Sequence, residues 1–155
     1  KNILKLMALF ASALFHICDE DEKAEIPTLP VTAANLNGTW QLSEWNGQPM
    51  SEGTYCYITF NRKELTFEMT EVRQYVRAPY HWSFQLENDP YLGYIISGEY
   101  DFGNGDWNND YIVTDLLESG SMIWTAKDDD NDVSKYVRCE KVPASIIEEA
   151  KVDKD

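Results

Sequence analysis

The feature that most constrains this chain is a period-two alternation of apolar and polar residues that begins near Leu36 and recurs, with turn residues between runs, as far as Val142. Successive side chains of a strand point to opposite faces, so short alternating runs bounded by Gly, Asn, Asp and Pro mark half-buried antiparallel strands. "GTWQLSEW" opens the pattern with Trp40 and Leu42 inward, and Asn46-Gly47 turns the chain. "TYCYITF" directs Cys56, Ile58 and Phe60 to one side, and after "NRKE" the run "LTFEMTEV" sets Leu65, Phe67 and Met69 inward. "YHWSFQLE" alternates most cleanly, with Tyr80, Trp82, Phe84 and Leu86 on one face and His81, Ser83, Gln85 and Glu87 on the other. "YLGYIISGEYDF" follows, carrying Gly93 and Gly98 where a bulge or a sharp bend would use their freedom. "GNGDWNND" is a loop, and "YIVTDLLE", "MIWTAKD" and "VSKYVRCEKV" complete the series.

Eight short strands connected locally, with no helix long enough for a parallel crossover, predict an all-β fold. The expected form is an eight-stranded antiparallel up-and-down barrel over residues 36–142, which leaves no open edge. A two-sheet sandwich is the alternative, although the Cys, Trp, Cys spacing of an immunoglobulin domain is absent. Pro143 can start a short helix through "ASIIEEAK", so residues 143–155 read as a short C-terminal helix and tail.

The N-terminal residues follow different rules. Lys1 and Lys5 precede an uncharged run ending at Cys18, and the apolar stretch falls short of the roughly 20 residues that span a membrane. A basic start and a short apolar middle read as a signal peptide over residues 1–17. Cys18 at the end of that run resembles the acylated cysteine of a bacterial lipoprotein, although Phe15 and Ile17 stand where such signals usually place Leu and a small residue. "CDEDE" resembles the acidic signal that sends some Gram-negative lipoproteins to the cell surface. "KAEIPTLPVTAAN" then reads as an extended spacer, making residues 18–35 a lipidated acidic linker.

Charge excludes one large class of partners. The formal net charge of −14 comes from 27 acids against 13 bases, a surface that repels nucleic-acid backbones. Membrane attachment is therefore expected through lipid on Cys18. With 43% apolar residues the same chain has ample material for a core.

"NGTWQL" resembles the G-x-W that opens the first strand of lipocalins, and Arg138 in "YVRCEK" stands where that superfamily places a late Arg across the Trp. The chain thus resembles the lipocalin-like domain lipoproteins of Gram-negative bacteria, from Leu36 to about Val142. The resemblance implies that Trp40 and Arg138 close the barrel base. It also implies an outer-membrane lipoprotein, surface-exposed or facing the periplasm.

Other residues were weighed for chemistry. Cys56 and Cys139 are either a disulfide or two buried thiols, and in a closed meander the first strand separates them. Asp128, Asp130 and Asp132 have D-x-D-x-D spacing, but Val133 and Cys139 occupy the positions where a calcium loop needs Gly and Glu, so no metal is expected. His81 is the one histidine after Cys18, too few for a zinc cluster and outward-facing on its strand. No catalytic constellation and no cofactor are expected.

Aromatic residues remain. Trp82, Trp124 and Tyr80 point inward, and Trp107 sits on a loop above the mouth; these are the candidates for ligand binding. An eight-stranded barrel either fills with side chains or holds one small ligand. The expected function is non-enzymatic binding of a small apolar or amphipathic molecule at the barrel mouth. The alternative is a filled barrel acting as an interaction or inhibitor module toward an envelope protein partner.

Overall fold

A computed structural model describes residues 26–72, 77–100 and 105–151, together with the backbone but not the side chains at Phe67 and residues 77–80. Its strands are β1 (Gly38–Trp45), β2 (Gln48–Pro49), β3 (Tyr55–Asn61), β4 (Thr66–Val72), β5 (Arg77–Asp89), β6 (Gly93–Glu99), β7 (Tyr111–Leu117), β8 (Ser121–Ala126) and β9 (Asp129–Cys139). Two short helices flank them, α1 (Ala33–Leu36) and α2 (Ala144–Lys151). Each strand from β3 onward pairs antiparallel with the next, and β9 returns to β1, so eight strands close into an up-and-down barrel. The two-residue β2 adds only a hairpin flap to β1. Its turn is Asn46-Gly47, with φ of 53° and 78°, the left-handed pair that a tight hairpin favours.

The alternation read from sequence is the alternation observed. Trp40, Ile58, Phe60, Phe84, Ile96, Val113, Met122 and Trp124 are buried together in the interior. Leu65 departs from expectation. It takes φ of 53° in the turn before β4 and is exposed, so the strand begins one residue later, at Thr66. The β7–β8 pairing also slips between Thr114 and Leu117, at a bend where Asp115 has φ of 50°.

The stretch expected to be a spacer is, from Pro27 onward, part of the fold. Glu118 donates its backbone N–H to the Pro27 carbonyl (3.2 Å) and Leu29 donates to Leu116 (2.7 Å), extending the pairing at the end of β7. Val31 and Leu36 are buried in the barrel core. Thr32 caps α1, its hydroxyl accepting from the Asn35 N–H at 3.1 Å.

At the other end of the chain, α2 buries Ile146 and Ala150 against outward-facing Tyr57 and Val72. Tyr57 thus lies on the outer face, as its parity requires, yet is buried by the helix. Cys139 packs at the border of this outer cluster, while Cys56 lines the interior, so the two thiols face opposite sides of the wall and are not joined. Burial pushes the Cys139 thiol up from its ordinary value.

Candidate functional site

The two ends of the barrel are built differently. At the end where β1 begins, Trp40 is fully buried and donates its indole N–H to the Leu36 carbonyl at 2.9 Å, tying it to α1. The Arg138 guanidinium lies over the Trp40 ring, 4.2 Å from the centroid. It donates to the carbonyls of Asn37 (2.7 Å) and Asn35 (2.8 Å), and partial burial draws its pKa down. Gly38 makes room for this arrangement: its φ is 111°, and a Cβ there would lie 2.9 Å from Arg138 Nη1. This end is sealed.

The opposite end is open. A cavity of about 600 Å³ lies between the end of β1, the β2 flap, the start of β3 and the start of β9. A second cavity of about 260 Å³ adjoins it deeper in the barrel, and Met69, Glu71, Tyr111, Ser134 and Tyr136 line both. Strand parity places these side chains here. Glu71 follows Met69 by two residues on β4, and Ser134 and Tyr136 continue inward from Asp132 on β9.

Aromatic rings wall the inner cavity. Trp82 meets Tyr100 edge-on at 5.1 Å between centroids and lies 5.7 Å from Trp107. Trp124 sits 5.6 Å from Tyr111 and 5.1 Å from Tyr136. Three of the expected residues, Trp82, Trp107 and Trp124, therefore converge on one cavity.

Trp107 does not sit above the mouth, as its loop position suggested, but is buried inside it. Its backbone N–H donates to the Gly98 carbonyl (2.9 Å), and Tyr100 N–H donates to the Gly105 carbonyl (2.9 Å), which holds Trp107 beside the end of β6. Gly98 is the residue that permits this. A Cβ there would collide with the Ser83 carbonyl and come within 2.8 Å of Trp107 Cζ2. Tyr80 lies on β5 opposite Met69, and its side chain is outside the described residues, as is all of Cys18.

The electrostatics of this end are set by buried phenols and nearby carboxylates. Burial, followed by the nearby Cys56, Tyr111, Glu71 and Asp132, raises the Tyr136 phenol well above its ordinary value. Tyr111 is raised by burial and then by Asp132 and Tyr100. Both phenols are thereby held neutral, able to donate or accept a hydrogen bond. Asp132 accepts from the indole N–H of Trp45 at 3.0 Å, which pins the rim of the outer cavity. Glu71 is a lining residue that the sequence reading passed over, and Asp132 was weighed there only as a calcium ligand; the parity of β4, counted inward from Met69, was the available signal for Glu71.

His81 is remote from this cavity in character, on the outer face opposite Glu68, with Nδ1 3.7 Å from Glu68 Oε2 and both side chains largely exposed. Among the described residues no three His, Cys, Asp or Glu side chains are grouped to hold a metal ion. The site is thus a closed-ended, ring-walled cup in an eight-stranded barrel. Comparison with protein-family models, with curated proteins and with solved structures found no match to this chain.

Proposed function

We propose that this chain is a non-enzymatic, lipocalin-like lipoprotein that binds a small apolar or amphipathic molecule in the open end of its barrel. The observation that carries this reading is the pair of adjoining cavities, about 600 and 260 Å³, opening at one barrel end. Small-molecule sites fall in the range of roughly 300–1,000 Å³, mostly apolar with a few placed polar groups. Trp82, Trp124 and Tyr111 supply the apolar walls, and Glu71, Ser134 and Tyr136 the polar groups. A barrel packed solid with side chains would leave no such space.

Attachment to the outer membrane through lipid on Cys18 is part of the same proposal and is supported by the sequence around that residue. Mass spectrometry of protein isolated from cells tests it: an acylated N-terminal Cys18 is expected, and an unmodified peptide spanning Ile17 and Cys18 would overturn it. For the binding function, a titration with fatty alcohols, fatty acids and small aromatic compounds is followed by tryptophan emission. Saturable change with at least one class is expected, because Trp82 and Trp124 line the inner cavity. Unchanged emission across the whole panel would contradict the proposal.

An interaction with an envelope protein is the second reading. It draws on Tyr91, which is 94% exposed beside exposed Leu92 in the β5–β6 turn, and on the −14 charge of the chain. These residues lie at the sealed end, so such a partner and a cavity ligand would not compete.

A further inference from the structure

The chain enters the fold at the sealed end. Leu117 pairs with Ser121 on β8, while its neighbours Leu116 and Glu118 bond to Leu29 and Pro27, so residues 27–29 lie along the other edge of β7. Nearer the open end β6 holds that edge, residues 94–96 against residues 111–113. Cys18 precedes Ile26 by eight residues, which reach at most about 28 Å when fully extended. β7 alone, at seven residues, is about 23 Å long. A bilayer holding an acyl chain on Cys18 is thus within easy reach of the sealed end. The open end could meet it only with the eight residues drawn out along the whole wall.

The sealed end is also where large apolar side chains face water. Of the six such side chains exposed among the described residues, Ile26, Leu65, Tyr91 and Leu92 lie there, with Trp45 at the open rim and Ile147 on α2. Tyr91 and Leu92 form the tip of the β5–β6 turn, and the Asp89 carboxylate accepts from both of their backbone N–H groups at 2.8 Å, which holds the tip in shape. Leu65 ends the neighbouring β3–β4 turn, after exposed Arg62 and Lys63. Leucines, bases and a tyrosine with an apolar ring and a polar tip are side chains that settle at the headgroup level of a bilayer. Charge divides the two ends in the same sense. The open end carries Asp106, Asp110 and the turn acids Asp128, Asp129 and Asp130 with Lys127, whereas Arg62, Lys63 and Lys141 stand among the acids of the sealed end. An anionic lipid face repels the open end more strongly.

We infer that the sealed end rests on the bilayer to which Cys18 anchors the chain, with Ile26, Leu65, Tyr91 and Leu92 at headgroup level and the open end turned away from the lipid. The inference rests on the lipoprotein reading and adds the surface that the anchored domain meets. It also sets the route to the cavities, which a ligand enters from the aqueous side and not from the bilayer.

The test is hydroxyl-radical footprinting of the acylated full chain on vesicles of phosphatidylethanolamine and phosphatidylglycerol, compared with the Cys18→Ser protein free in solution. Oxidation of Tyr91 and Leu92 is expected to fall about threefold or more on the vesicles, with Leu65 following, while Trp45 and Met50 at the open rim react as they do in solution. Equal oxidation of Tyr91 on and off the vesicles, or protection of Trp45 and Met50 in its place, overturns the inference and leaves the acylation standing. Protection of Tyr91 in whole cell envelopes but not on protein-free vesicles gives the tip to a protein partner and overturns the inference too. An unmodified Cys18 in the mass spectrum overturns both the inference and the lipoprotein reading.

Tyr91→Ser combined with Leu92→Ser alters only exposed side chains and keeps the Asp89 bonds to the backbone, so Tm is expected to hold. On vesicles the acylated double variant is expected to lose about half or more of the protection at Leu65, because the tip no longer holds that end against the lipid. Unchanged protection at Leu65 in the folded double variant contradicts the part given to the tip.

Discussion

The two ends of this barrel use the same kinds of residue to opposite effect. At the sealed end a tryptophan and an arginine satisfy each other and their surroundings: the Trp40 indole reaches the Leu36 carbonyl, and Arg138 reaches two more carbonyls while covering the ring. At the open end tryptophans and tyrosines line unfilled space beside polar groups. Packing without voids stabilises the fold, and a cavity of several hundred Å³ is space the fold has not used for that purpose. The packing that stabilises the barrel is therefore concentrated at one end and the unfilled space at the other.

Substitution at the sealed end gives the largest expected effect. Trp40→Ala removes a fully buried ring in contact with α1 and Arg138, and should cost about 3–5 kcal/mol in denaturant unfolding. A cost below about 1 kcal/mol would mean that the base is not the stabilising end. Gly98→Ala comes next and joins the two regions. The added methyl forces the Ser83 backbone and the Trp107 ring apart, with an expected loss of about 1–3 kcal/mol and a changed near-UV circular dichroism from the displaced indole. Retention of both stability and spectrum would show that Trp107 is not seated against that glycine.

Arg138→Met is expected to cost about 1 kcal/mol, since it removes two hydrogen bonds and the ring contact from a residue that keeps part of its solvent exposure. Ligand titrations at the open end should be unaffected by it. The smallest effect concerns pH. Tyr136 has a raised pKa when folded, so the unfolded chain loses that proton first, and the stability it contributes is complete below about pH 10 and falls as pH rises beyond it. Tyr111 and Tyr57 act in the same direction. Denaturant midpoints measured at pH 9 and pH 11 should show the fall, and Tyr136→Phe should lessen it.

How far these regions were legible in the sequence depends on whether the deciding signal is local. The strand faces were legible because "YHWSFQLE" and its neighbours alternate residue by residue, and the Asn46-Gly47 turn because two adjacent residues accept positive φ. The position of Arg138 over Trp40 was expected from the resemblance of "NGTWQL" and "YVRCEK", and the geometry has them stacked. Residues 27–35 were read as a spacer because Val31 and Ala33, isolated among polar residues, carry no period, and α1 is only four residues long. Trp107 was placed outside because its own loop reads as solvated; the space it fills is made by Gly98 on another strand. Tyr57 was placed on the correct face, but its burial depends on α2, almost 90 residues later. The polar lining of the cavity, Glu71, Tyr111, Ser134 and Tyr136, emerges only when β4, β7 and β9 are brought together.

The most direct measurement uses protein labelled with ¹⁵N at tryptophan, whose indole N–H signals report both ends of the barrel at once. Titrated with 2-phenylethylammonium, n-propylbenzene and dodecanol, the signals of Trp82, Trp107 and Trp124 should shift saturably with at least one compound, while that of Trp40, sealed against α1, stays in place. Shifts at Trp40 as large as those at the other three, or no shifts with any compound, would contradict the proposal that ligands enter at the open end while the other end stays sealed.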